Sequence, residues 1–214
     1  MSEMELRQDI VAVAQAIDRA GFCPSKSGNV SARFGEGLLI TPSGLPYAQT
    51  TPEDLISLSL DGTVLEGARK PSSEWPFHVA IYRARPDAQA IVHTHSPRAT
   101  ALSCTRRGIP AFHYMIALCG GADVRCADYA TFGTPELAAN AVKGLQGRKA
   151  VLLANHGVIA LGQSLAGAHA IVAEVENLAG QYLDILAAGL DPVILDAAEM
   201  ERVAARFAGY GKLG

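Results

Sequence analysis

Three histidines sit where imidazoles can share one cation: His93 and His95 in Ile91-Val92-His93-Thr94-His95, and His156 in Ala154-Asn155-His156-Gly157. Side chains alternate across a strand, so His93 and His95 point to one face. A single histidine is an ordinary core or surface residue. Two on one face of an apolar run make a poor core, because burying polar rings without partners is costly, and a good metal clamp. His156 lies in a second apolar run, far along the chain but free to fold beside the first. Three neutral nitrogen ligands with an open fourth position describe a catalytic zinc site rather than a structural one. A carboxylate is the expected further ligand or base. Glu74, in Pro71-Ser72-Ser73-Glu74-Trp75-Pro76, is the candidate, although an acid in a first helical turn also simply complements the helix dipole.

A second group of residues suits an anion. Ser27-Gly28-Asn29, Thr41-Pro42-Ser43-Gly44 and Ser72-Ser73 offer backbone N–H groups and short donors, which cradle a phosphate where they converge. Singly, each reads as a turn or a cap. The chain has neither a G-x-x-x-x-G-K-[ST] loop nor a strand-linked G-x-G-x-x-G, so nucleotide binding is not favoured. Tyr114, in Phe112-His113-Tyr114-Met115 ahead of Gly120-Gly121, can donate a proton to a developing alkoxide; packing at a sheet edge is its other reading. Met115 and Trp75 read as packing, and Glu174 and Glu176 as solvated helix surface.

The elements that must hold these groups follow from periodicity. Residues 4–21 carry apolar positions at helical spacing, ending at Gly21. Val30–Phe34 and Leu38–Thr41 flank a turn at 35–37. Thr51-Pro52-Glu53-Asp54 opens a short helix. Ile56–Leu60 and Val64–Glu66 flank Asp61-Gly62, a hairpin signal. Ser73 reads as the cap of a helix from Glu74 to about Arg85. Ala90–His95 is a strand, and Ser96-Pro97 opens a helix. Thr134-Pro135-Glu136 opens another, to about Leu145. Ala150–Ala154 and Val158–Leu161 bracket Asn155-His156-Gly157. Ser164 caps a long helix stopped by Gly189, and Ala197–Phe207 forms the last. Strands and helices do not alternate as in a doubly wound sheet. A mixed, largely antiparallel sheet between helical layers, an α/β three-layer arrangement, fits better.

Bulk properties narrow the function. The 214 residues show no Pro/Ser-rich linker, so a single domain over 1–214 is expected. Net charge is −3 with no basic patch, which disfavours nucleic acid. No run approaches the roughly 20 apolar residues of a membrane span, and the N-terminus lacks the features of a signal peptide. The four cysteines have no C-x-x-C spacing, and reduced thiols in a cytoplasmic enzyme are expected.

In this order and spacing the motifs carry a family likeness. Gly28-Asn29-Val30-Ser31-Ala32-Arg33, Ile40-Thr41-Pro42-Ser43-Gly44, Pro71-Ser72-Ser73-Glu74-Trp75, His93-Thr94-His95, His113-Tyr114-Met115, Tyr129-Ala130-Thr131-Phe132-Gly133-Thr134, Asn155-His156-Gly157 and Tyr210-Gly211 span nearly the whole chain. The chain resembles the class II aldolases of the superfamily that holds L-fuculose-phosphate aldolases, ribulose-phosphate 4-epimerases and the adducin head. The resemblance implies a lyase of carbohydrate metabolism that reversibly cleaves a ketose 1-phosphate, such as L-fuculose 1-phosphate, to dihydroxyacetone phosphate and a small aldehyde such as lactaldehyde. Aldolases of 5-deoxyribulose or 5-(methylthio)ribulose 1-phosphate in salvage pathways, or a sister epimerase, decarboxylase or dehydratase, are the alternatives.

It implies Zn2+, with Co2+ or Mn2+ as alternatives, on Glu74, His93, His95 and His156. Glu74 would leave the metal to act as acid and base. Substrate phosphate would lie near Gly28, Asn29, Ser43, Gly44, Ser72 and Ser73. Tyr114 would protonate the aldehyde oxygen, Phe132 would flank the aldehyde, and Tyr210 would reach the site of a neighbouring subunit in a homotetramer with sites at its interfaces. The implied fold is a mixed sheet sandwiched by helices.

Overall fold

A computed structural model describes residues 2–209. The first helix, α1 (Glu3–Arg19), starts at a capping box in which Ser2 accepts from the Glu5 N–H and Glu5 returns a bond to the Ser2 N–H. Its buried stripe is Ile10, Val11, Ala14 and Ile17, the spacing of one helical face. Next come strands β1 (Asn29–Phe34), β2 (Gly37–Ile40), β3 (Ile56–Ser59) and β4 (Val64–Glu66). Helix α2 (Trp75–Ala84), strand β5 (Ala90–Thr94) and helix α3 (Pro97–Ser103) follow, then β6 (Arg125–Ala127), α4 (Pro135–Gly144), β7 (Ala150–Leu153) and β8 (Gly157–Gly162). The helices α5 (Leu165–Ala187) and α6 (Ala197–Gly209) complete the described chain.

The strands form one sheet in the order β4-β3-β2-β1-β5-β8-β7-β6. Every pairing is antiparallel except β6 with β7. One apolar layer packs Ile10 and Ile17 of α1, Leu102 of α3 and Val172 and Leu178 of α5 against Val30, Val92 and Val158. The other packs Phe77 and Ile81 of α2 and Leu137 and Ala141 of α4 against Ile40, Ile91 and Val151. This is the expected three-layer α/β arrangement. Filling each layer fully with side chains of Leu or Ile size contributes about 1.5–3 kcal/mol per residue. Among the described residues no helix is long and apolar enough to cross a membrane.

Strand β5 is the axis of the fold. All five of its residues are buried, and it is flanked by β1, with Asn29 opposite His93, and by β8, with Ile159 opposite His93. Two glycines let neighbours close on its C-terminal end. A Cβ at Gly28 would lie 2.7 Å from the His93 carbonyl oxygen, and one at Gly157 would lie 2.4 Å from that of Thr94. Gly28 also has φ +89°, a conformation other residues adopt only with strain.

Some boundaries differ from the sequence expectation, each for a physical reason. Helix α2 begins at Trp75 with Glu74 at the cap position, not Ser73, and Glu74 makes no capping bond because its carboxylate is turned into the protein. The Ser72 Oγ accepts from the Glu74 N–H instead, at 3.3 Å. His95 lies one residue past β5, held by its N–H donating to the Phe22 carbonyl at 3.0 Å. Strand β6 is new: three residues, paired in parallel with β7, too short to show a period. Tyr114–Cys119 is a 3-10 turn ended by Gly120 at φ +89°.

Candidate active site

His93 is fully buried, and its Nδ1 donates to the Val158 carbonyl on β8 at 2.9 Å. That bond commits Nδ1 as a donor and turns Nε2 towards the cluster. The His95 Nε2 lies 3.1 Å from it. His156 comes from the turn joining β7 to β8, where Asn155 takes φ +55° and the His156 N–H donates to the Leu153 carbonyl at 3.1 Å. The three rings face one another almost at right angles. Their centroids are 5.0 Å apart for His93 and His95, 4.9 Å for His93 and His156 and 4.8 Å for His95 and His156.

Glu74 completes the group. Its Oε2 lies 3.1 Å from the His93 Nε2 and accepts from the Asn29 Nδ2 at 3.0 Å. Its Oε1 lies 3.0 Å from the His156 Nε2 but is buried without a hydrogen bond. Burial works to raise the Glu74 carboxyl, but His93 and His156 outweigh it and hold the group well below the usual carboxylate range. Burial, and then the neighbouring His93 and His156, push His95 down to about 3, so its ring is neutral.

The four ligand atoms lie within 4.8 Å of one another. A buried carboxylate with one oxygen that makes no hydrogen bond, set against nitrogens from three converging imidazoles, is a donor set suited to an electrophile at its centre. Three nitrogens and one oxygen fit a divalent transition-metal ion. The cluster is therefore able to hold a metal.

The cluster opens into a pocket of about 290 Å³. All six predicted loop residues, Gly28, Asn29, Ser43, Gly44, Ser72 and Ser73, line it. The loops are knitted together. The Ser43 N–H donates to the Lys70 carbonyl at 3.0 Å, the Ser72 N–H to the Thr41 carbonyl at 3.1 Å, and the Tyr47 hydroxyl to the Gly28 carbonyl at 2.7 Å. Phe132, 64% exposed, stands at the pocket wall.

Tyr114 does not line this pocket. It is half-exposed on its 3-10 turn, stacked on His113 at 4.8 Å and on Phe207 of α6 at 6.2 Å. Tyr210 lies outside the described residues. Sequence reasoning missed four pocket residues or supports. Lys26 brings a cation to the mouth, with φ +65° after Ser25 at φ +57°; it stands beside the hydroxyl residues that drew attention to that loop. Tyr129 and Asn155 also line the pocket. His78, buried on α2 behind Asn29, carries no local signal at all.

Residues 8–183 match the Class II Aldolase and Adducin N-terminal domain family. The chain belongs to that family. It is 49% identical over 210 residues to a 5-methylthioribulose-1-phosphate/5-deoxyribulose-1-phosphate aldolase of Rhodospirillum rubrum, covering 98% of this chain and 94% of the relative. It is 44% identical over 212 residues to an L-fuculose phosphate aldolase of Escherichia coli K12, covering 99% and 98%. Among solved structures, an L-fuculose 1-phosphate aldolase superposes with a TM-score of 0.92 at 41% identity, covering 97% of this chain and all of that one. The mixed eight-stranded sheet flanked by helices is thus the class II aldolase fold, and the chain is an enzyme, a lyase of the aldolase class.

Proposed function

We propose that the chain, as one domain over 1–214, is a metal-dependent aldolase that splits a ketose 1-phosphate, L-fuculose 1-phosphate or a close analogue, into dihydroxyacetone phosphate and a small aldehyde such as lactaldehyde. The observation that carries this reading is the meeting of the Glu74–His93–His95–His156 cluster and three anion-suited loops in one pocket. Zinc is the favoured ion, with cobalt or manganese as alternatives. A divalent cation held there supplies Lewis-acid chemistry, a sink for the negative charge left when a carbon–carbon bond opens.

The chain's own groups do the rest. Backbone and hydroxyl donors of Gly28, Asn29, Ser43, Gly44, Ser72 and Ser73 hold the phosphate, a non-reacting group whose binding orients the reacting carbons. Glu74, released from the cluster as substrate enters, moves the proton at the carbon alpha to the carbonyl. Phe132 flanks the aldehyde end. Tyr114 takes the aldehyde-side hydroxyl proton during cleavage and returns it in synthesis. Its place outside its own chain's pocket supports delivery by a second copy. The assembly in this reading is a homotetramer with sites at subunit interfaces, with Tyr210 as a further contributor and the cytoplasm as its location.

A second reading, cleavage of 5-deoxyribulose or 5-(methylthio)ribulose 1-phosphate, is favoured by the 49% identity to the Rhodospirillum rubrum relative. A coupled assay for dihydroxyacetone phosphate over a panel of ketose 1-phosphates tests both. The proposal expects release from at least one of them. Products of epimerisation, decarboxylation or dehydration without dihydroxyacetone phosphate would overturn it.

A further inference from the structure

Behind Asn29 runs a row of polar groups that the metal cluster does not use. Asn29 is 2% exposed, Ser31 and His78 are 0%, and Tyr82 is 1%. Asn29 and Ser31 are alternate residues of β1, and so share a face; His78 and Tyr82 lie one turn apart on α2, the helix that starts beside Glu74. The Tyr82 hydroxyl is 2.9 Å from the Ser31 Oγ, and the Ser31 Oγ is 2.7 Å from the His78 Nδ1. The His78 Nε2 is 2.5 Å from the Asn29 Oδ1, and the Asn29 Nδ2 is 3.0 Å from the Glu74 Oε2.

The ends of the row dictate the direction of every bond. An ionised Glu74 only accepts, so the Asn29 amide nitrogen faces it and the Asn29 carbonyl faces His78. A carbonyl only accepts, so His78 carries its proton on Nε2. Burial pushes His78 down to about 3, so the ring is neutral and its Nδ1 is a bare acceptor. Ser31 therefore donates to Nδ1, and its oxygen accepts a hydrogen bond from the Tyr82 hydroxyl. Every donor points towards Glu74. An amide gives up its protons too reluctantly to pass one along, so the row orients rather than conducts.

We propose that His78 is a positioning residue that acts through Asn29: its Nε2–H grips the Asn29 carbonyl and turns both Asn29 N–H donors outward, one onto Glu74 and the other into the pocket. Asn29 lines the pocket, and its second N–H is left for an oxygen of the phosphate ester. Without His78 the buried carbonyl has no donor, and the amide can flip. A flipped amide would set its oxygen against two anions, the Glu74 carboxylate and the phosphate. This assignment rests on the aldolase reading of the pocket.

The test compares the metal-loaded wild type with His78→Leu, His78→Gln, Asn29→Ala and the His78→Leu/Asn29→Ala double variant. Dihydroxyacetone phosphate affinity is read by calorimetry, alongside bound metal and thermal midpoint. His78→Leu weakens binding about tenfold, the scale of one buried hydrogen bond, while the imidazole cluster keeps its metal. His78→Gln, which offers an N–H near the Nε2 position, returns to within about threefold of wild type on the same scale. In the Asn29→Ala background His78→Leu adds no further loss, because residues acting as a unit are not additive.

Wild-type affinity in His78→Leu, or a loss that adds in full to that of Asn29→Ala, overturns the proposal. Should His78→Leu not fold, Ser31→Ala releases His78 Nδ1, together with the Tyr82 hydroxyl: a smaller loss supports the proposal and no loss overturns it. The crystal structure of a folded His78 variant tests the role without substrate. An Asn29 amide rotated off Glu74 is expected, and an unmoved one refutes the role. A wild type that holds no dihydroxyacetone phosphate contradicts the aldolase reading instead, and the Asn29 rotation still decides His78.

Discussion

Around His93 the ring is tied to β8 through the Val158 carbonyl and the whole strand is buried, whereas around Tyr114 the chain is a 3-10 turn whose aromatic ring stands half in solvent. The first region is rigid because β5 is buried between β1 and β8, and its ligands inherit the register of those strands. The second borders α6 and a hollow of about 540 Å³ lined by Leu118, Met200 and Phe207. Under the proposed function, one chain suffices in the first region and a second copy is needed in the second. In the same reading, metal affinity and phosphate recognition belong to the strand-built region of a single chain, and proton delivery to the aldehyde comes from the turn-built region of a second copy. Variants in the two regions should therefore fail in different ways.

The largest effect is expected from His95→Ala. It removes a ligand from the rigid region, so metal content by elemental analysis and turnover should fall together, with turnover reaching the uncatalysed background. Glu74→Gln should keep much of the metal, because three imidazoles remain, but lose hydrogen–deuterium exchange on dihydroxyacetone phosphate by about 10²- to 10⁴-fold, the usual share of a general base. Wild-type exchange in Glu74→Gln, followed by NMR, would remove Glu74 from the mechanism.

Tyr114→Phe separates the two regions most cleanly. Cleavage should slow about 10²-fold while exchange on dihydroxyacetone phosphate and metal content stay near wild type. Equal losses in cleavage and exchange would place Tyr114 in the first region after all. The smallest effect is expected at Lys26, an exposed cation at the pocket mouth. Lys26→Ala should raise KM about two- to fivefold with kcat unchanged, and the difference should shrink as salt screens it.

The legible parts of the sequence are those whose signal is local and periodic. His93 and His95 show themselves because a strand has period two, and the α1 stripe because a helix has period 3.6. The Ser and Gly loops declare themselves by composition, but only the fold brings residues 28, 43 and 72 to one pocket. Glu74 is ambiguous in the sequence because an acid beside a helix start has an ordinary explanation; what brings it into the cluster is contact with residues 29, 93 and 156. His78 is invisible there, since its partners Asn29 and Ser31 lie 49 and 47 residues away. Strand β6 exists only through pairing with β7, a tertiary effect that three residues cannot announce.

Under the proposed function, carbon–carbon cleavage depends on a cation held by Glu74, His93, His95 and His156. Titrating zinc into chelator-stripped protein, while following dihydroxyacetone phosphate release, puts that dependence to the test. Release should be absent at the start and rise in proportion to added metal. It should level off at one ion per chain, and His95→Ala should not respond. Full release from protein shown by elemental analysis to be metal-free would contradict it.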